Sequence, residues 1–354
     1  MSTAVQHFRH GMSAVRSGDW AAAAAAYRSA VEQRPDAPPL WYFRLGTAEE
    51  HLGHWGAAGS CYERAMAAEP EGTDPQLVEI MHRMLDTEIR EFPGRRMLLL
   101  FVARRLEEIY AVAAEPLPPA PDSPPVDDPI YFYWAQGFDS LPEVVALCRR
   151  KLLDHAGDRA LELDDHAVDR LITLPVDIEA RNIAATHRSD LIRLQLLCRY
   201  GGSWLDGTCL VLNDPLPELA RLRAPSGWFS FTKRRTTLAT WLMSSVPGHR
   251  IARLLYAALV VYWRHHDRIG HYFALHYMFE ALTFLDAEFG TLWQETPRLL
   301  FRAPFALRWS QADPYDPQRY KEILADSFVH KLTWKYPPEH AAPTTMLGRL
   351  LRTL

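Results

Sequence analysis

The chain has 354 residues, of which 48% are hydrophobic, 11% aromatic and 23% charged. At roughly 100–200 residues per domain this length holds two or three domains, and so ordinary a balance excludes a wholly disordered, collagenous or coiled-coil protein. A net charge of −4 excludes the global basic excess that drives nucleic-acid binding; four cysteines are too few for a disulfide framework, and the lack of a CxxC pair argues against a structural zinc site.

The N-terminal ten residues lack the basic-then-apolar pattern of a signal peptide, and the longest apolar run, 254–263, is about half a bilayer span. These features predict a cytoplasmic protein in a reducing compartment, not transmembrane. Gly11, Gly18, Trp20, Tyr27, Ala30 and Pro35 recur as Gly46, Gly53, Trp55, Tyr62, Ala65 and Pro70, all at an offset of 35. Small residues at a helix crossing, an aromatic opposite and a closing Pro resemble the tetratricopeptide repeat, whose period is 34. The stretch 76–114 reads as further helix, with Leu85, Ile89 and Phe92 on one stripe and Leu98, Val102, Leu106 and Tyr110 on the next. The expected first domain is therefore an all-α repeat domain over 1–114, a surface for a protein partner.

Residues 115–129, EPLPPAPDSPPVDDP, carry seven Pro and four acids. Such a segment favours extended polyproline conformation and reads as a linker. The second domain, 130–354, opens with the β-prone run Ile130–Trp134. A helix follows over 141–152, and then a strand over 160–163. Strand, loop and helix in that order begin an α/β unit. Residues 182–200 read as a helix capped by Gly201. Trp204-Leu205 and 209–212 read as buried strands around Asp206, 228–232 as a further strand, and 251–289 as mostly helical. The terminal segment 346–354 reads as a packing helix, with a membrane-surface helix as the alternative.

The chemistry concentrates in 189–208, SDLIRLQLLCRYGGSWLDGT. Asp190 and Arg193 share a helix face. Gly201-Gly202 permits a tight reversal into the next strand. Asp206 falls at a strand end beside Gly207, a good place to hold a divalent ion against a diphosphate.

Helix S-D-x-x-R, then L-x-x-x-G-G, then W-L-D-x-T resembles the capsular polysaccharide synthesis proteins. The opening Ile130-Tyr-Phe-Tyr-Trp134, the later Tyr262-Trp263 and Tyr272-Phe273, and His330-Lys331-Leu332-Thr333 extend the likeness over 130–336. The resemblance implies a GT-A-type, Rossmann-like nucleotide-sugar transferase. It would move a sugar from a nucleoside-diphosphate donor, such as a UDP-sugar, to a carbohydrate, lipid-linked or protein acceptor with retention. Asp206 and Arg193 would be catalytic. Trp134, Asp190, Gly201, Gly202, Thr208, His330 and Lys331 would bind the donor. Asp206 and His330 would hold Mn²⁺ or Mg²⁺. Two positions depart from the pattern: Thr208 replaces the second acid of an Asp-x-Asp motif, and His271 stands where an acid is common. Both favour the alternative of an inactive, binding-only scaffold.

Overall fold

A computed structural model describes residues 3–54, 57–58, 60–61, 64–65, 98, 101–124, 126–234, 237–267, 269 and 272–353. The chain divides into two compact units, Met1–Leu106 with Tyr262–Tyr277, and Glu107–Val261 with Met278–Leu354.

In the first unit, helices α1 (Thr3–Arg16), α2 (Trp20–Glu32) and α3 (Pro39–His51) pack in sequence order. Asp19 caps α2, accepting from the Ala22 amide at 2.9 Å. Gly11 of α1 lies against the ring of Tyr27, where any side chain would collide. Phe8 stacks on Trp41 at 4.8 Å and tilts on Tyr27 at 5.3 Å, so large aromatics fill the space the small residues open. The repeat has a backbone counterpart. Gly18 and Gly53, 35 apart, follow α1 and α3 with φ of +76° and +75°, a left-handed turn that favours glycine. Trp55, Tyr62 and Pro70 lie outside the described residues, as do Leu85, Ile89 and Phe92. Leu98, Phe101 and Val102 are buried, and α4 (Leu106–Ala114) continues the helical stretch.

The second unit is mixed α/β. Its elements in order include β1 (Ile130–Tyr133), α5 (Glu143–Ala156), β2 (Ala160–Leu163), α6 (Ala185–Tyr200), β3 (Gly202–Asp206), β4 (Cys209–Val211), α7 (Leu216–Arg223), β5 (Trp228–Arg234), β6 (Thr237–Ser245), β7 (Val329–Lys331) and α8 (Met346–Thr353). Five strands form one sheet in the order β2-β1-β3-β6-β5. β1 is parallel to β2 and β3, while β6 runs antiparallel to β3 and β5. The parallel pairs require crossovers, and α5 and α6 supply them. As the central parallel strand, β1 buries Ile130, Tyr131 and Phe132. β4 and β7 pair separately, with Cys209 opposite Lys331 and Leu210 opposite His330. The helical stretch expected over 251–289 is three helices, Arg250–His265, Ala274–Leu285 and Ala287–Glu295.

The segment read as a linker belongs to the second unit. Proline removes amide donors but leaves carbonyls, and these find donors here. Pro129 accepts from the Ser203 amide at 2.8 Å, Pro118 from Arg199, and Asp122 from the Tyr200 hydroxyl at 2.9 Å. Arg223 forks onto Asp128 at 2.6 and 2.8 Å. The contact boundary accordingly falls near residue 106, ahead of this segment. At the other end, α8 sinks Met346, Leu347 and Leu350 into the core around β1, α5 and β4. That face is covered by protein, so the membrane-surface alternative loses the apolar stripe it requires. Among the described residues no helix is long and apolar enough to cross a membrane.

Candidate active site

Side chains alternate along a strand, so Trp204 and Asp206 of β3 point to the same face. Tyr133, level with Asp206 on β1, joins them, its ring 5.7 Å from that of Trp204. Above this face α6 presents Arg193, which is only 6% exposed. Its Nε donates to the Ser189 carbonyl at 3.1 Å, Nη2 to Ser189 Oγ at 3.0 Å, and Nη1 to the Thr240 carbonyl at 2.7 Å. The guanidinium lies over the Trp204 ring at 4.9 Å. Asp190 Oδ1 is 3.5 Å from Nε, and Asp206 Oδ1 is 3.7 Å from Nη2. Arg193 is therefore a fixed, buried cation; a solvated surface pair with Asp190 would not be gripped on every side.

Asp206 accepts from Trp204 Nε1 at 3.0 Å on Oδ1 and from Lys331 Nζ at 2.9 Å on Oδ2. The same Nζ donates to Thr208 Oγ1 at 2.6 Å. Lys331 arrives on β7 opposite Cys209, so the small second sheet delivers the ammonium to the end of β3. Burial alone would raise the Asp206 carboxyl, but Lys331 and Arg193 outweigh it and hold it below the ordinary carboxylate range. Burial would likewise lower the Lys331 amine, and Asp206 outweighs it and raises it. Asp206 thus stabilises the fold above its ordinary 3.8, and that contribution fades as pH falls through its lowered value. Lys331 contributes below its ordinary 10.5 and ceases to as pH rises through its raised value. The gap in Tm between wild type and Lys331→Met should be constant from about pH 5 to about pH 9 and narrow in stronger acid. Parallel thermal melts across pH check this; a gap that changes near neutrality would contradict it.

Trp134, just beyond β1, covers Gly207; a Cβ there would approach its ring to 3.1 Å. Trp334, 43% exposed, meets Trp134 edge-on at 5.9 Å. An aromatic rim thus stands beside the buried ion cluster at the C-terminal ends of parallel strands, where α/β sheets place ligands. Reading the sequence missed Ser189, Thr240, Tyr133 and Trp334. Ser189 carried a usable signal, its i−4 spacing from Arg193. Thr240 acts through its carbonyl, which no residue type reveals.

Two expected assignments are corrected. Gly201 and Gly202 do not join the site. Gly201 caps α6 and Gly202 begins β3, about 13 Å along the strand from Asp206 at about 3.3 Å per residue. With φ of +69° and +84° they turn the chain, and their Cβ positions are filled by Pro247 and Pro129. His330 is fully buried and faces away from its neighbour Lys331 in the strand; its Nε2 lies 3.3 Å from the Leu324 carbonyl. Burial lowers its pKa and keeps it neutral. It therefore reaches neither Asp206 nor a diphosphate. The expected metal site has the following donors. Both Asp206 oxygens are engaged, one of them by an ammonium, and Thr208 adds only a neutral oxygen. Among the described residues no group of three His, Cys, Asp or Glu side chains is arranged to hold a metal ion. The donor set does not fit a divalent ion. His271 lies outside the described residues.

A model of the capsular polysaccharide synthesis protein family matches residues 103–350. The chain belongs to that family. The match starts close to the contact boundary at residue 106, so the capsular synthesis region takes in the proline-rich segment as well as the sheet. Among solved structures, the chain is similar to one titled PaToxG Glycosyltransferase, with 15% identity, a TM-score of 0.32, and coverage of 58% of this chain and 86% of that one. No curated protein matches the chain.

Proposed function

We propose that this capsular synthesis family member is a glycosyltransferase of GT-A type. It would move a sugar from a nucleoside-diphosphate donor, a UDP-sugar first among them, to a carbohydrate, lipid-linked or protein acceptor, with retention. The observation that carries this reading is the buried Arg193–Asp206–Lys331 cluster at the C-terminal end of β3. Two fixed cations, Arg193 and Lys331, meet at Asp206 in a partly desolvated place, with Asp190 3.5 Å from the guanidinium. Preorganised cations of this kind stabilise a departing diphosphate while the acceptor hydroxyl attacks. Trp134 and Trp334 offer flat apolar surfaces for a base or a sugar ring. The helical first unit, read as tetratricopeptide-like, would present a concave face to a protein partner.

The test is a panel of uridine, guanosine and thymidine diphosphate sugars. Nucleotide release and thermal stability are followed for the full chain. One nucleotide class should raise Tm, because a ligand bound to the native state alone adds stability by mass action, and its sugar conjugate should be turned over. A flat response across the panel would sink the reading.

A further inference from the structure

Lys331 Nζ bridges residues 206 and 208, touching Asp206 Oδ2 at 2.9 Å and Thr208 Oγ1 at 2.6 Å. It does so with a side chain only 12% exposed, and with Asp206 still 30% exposed. One nitrogen holding the two alternate side chains of a strand-end D-x-T occupies the place a bridging cation would take. Mg²⁺ and Mn²⁺ draw on one or two carboxylates together with substrate phosphates, and here the one carboxylate is already held by an ammonium and its companion is a neutral hydroxyl. The charge count agrees. One carboxylate with one ammonium is neutral, as two carboxylates with a divalent ion would be. Arg193 stands beside them, 3.7 Å from Asp206, with its own charge met by Asp190 at 3.5 Å. A divalent ion at Asp206 would have to displace a buried ammonium whose charge is paired with that carboxylate. We infer that Lys331 is a built-in substitute for a metal ion, so that this site takes the diphosphate of its donor without a divalent cation.

The inference rests on the donor reading above, and the experiment separates the two. UDP, GDP and dTDP are titrated against the full-length protein by calorimetry, once in excess EDTA and once with Mn²⁺. The diphosphate that binds should do so with Kd unchanged within about twofold between the two conditions, a difference under about 0.5 kcal/mol. In EDTA, Lys331→Met should bind about tenfold to a hundredfold more weakly, the worth of one charge-assisted hydrogen bond. Lys331→Arg, which keeps the charge, should recover most of that loss. Binding only with Mn²⁺ would overturn the inference and leave the donor reading standing. Undiminished binding by Lys331→Met in EDTA would also overturn it. Absence of binding under both conditions would overturn both. If Lys331→Met does not fold, the wild-type comparison and Lys331→Arg still decide.

Discussion

Asparagine at position 206 is expected to lower turnover of the donor by about two to three orders of magnitude, the usual cost of removing a preorganised electrostatic contact. Asparagine keeps the shape of the side chain, and its amide oxygen can still accept from Trp204. What it loses is the negative charge between Lys331 and Arg193, 2.9 and 3.7 Å away. Burial then dominates at Lys331 and favours loss of its proton, so the cluster surrenders a cation as well as an anion. Breaking a fully buried ion pair costs about 3–5 kcal/mol; because the carboxylate is 30% exposed, a smaller loss of about 1–3 kcal/mol is expected. Turnover of the donor and the midpoint of urea unfolding are measured on the same preparation. Lost stability with undiminished turnover would reduce the cluster to a structural pair.

Gly202→Ala should act in the opposite sense, on folding rather than chemistry. A left-handed backbone costs a non-glycine residue about 1–2 kcal/mol. The added Cβ would also run into the carbonyl of Pro129 and approach its Cδ to 2.9 Å. That carbonyl cannot retreat freely, because it accepts the Ser203 amide at 2.8 Å. Overpacking of this kind adds about 1–3 kcal/mol, so the total destabilisation is about 2–5 kcal/mol. Denaturant titration gives the figure. A stable variant with weakened donor binding would return Gly202 to the site from which its position in β3 removes it.

Much of the second unit was legible because its signals are local. Ala160–Leu163 is a strand as read, α6 ends at Gly201 as read, and Asp206 ends its strand beside Gly207. The hidden elements are those fixed by partners distant in the sequence. β7 is three residues long, and its helix-or-strand choice is made by β4, more than a hundred residues earlier. That pairing decides which of two adjacent residues, His330 or Lys331, faces Asp206. Period-two alternation guarantees that they face apart, but the register that chooses between them is tertiary. Composition likewise says little of the partners of 115–129. It reports what proline cannot donate, and is silent on the Arg199, Tyr200 and Ser203 groups that come to its carbonyls.

That proline-rich strap has a practical consequence for dissecting the protein. Arg199 and Tyr200 close the same helix that carries Arg193, and they anchor on Pro118 and Asp122. A fragment trimmed to begin at Ile130, where composition invites the cut, would remove the Pro118 and Asp122 contacts from the far end of that helix, leave Tyr200 its bond to the Leu171 carbonyl, and take Asp128 from Arg223. Excision of the sheet-bearing half is better placed ahead of Glu107, so that the rod bearing the guanidinium keeps both its attachments.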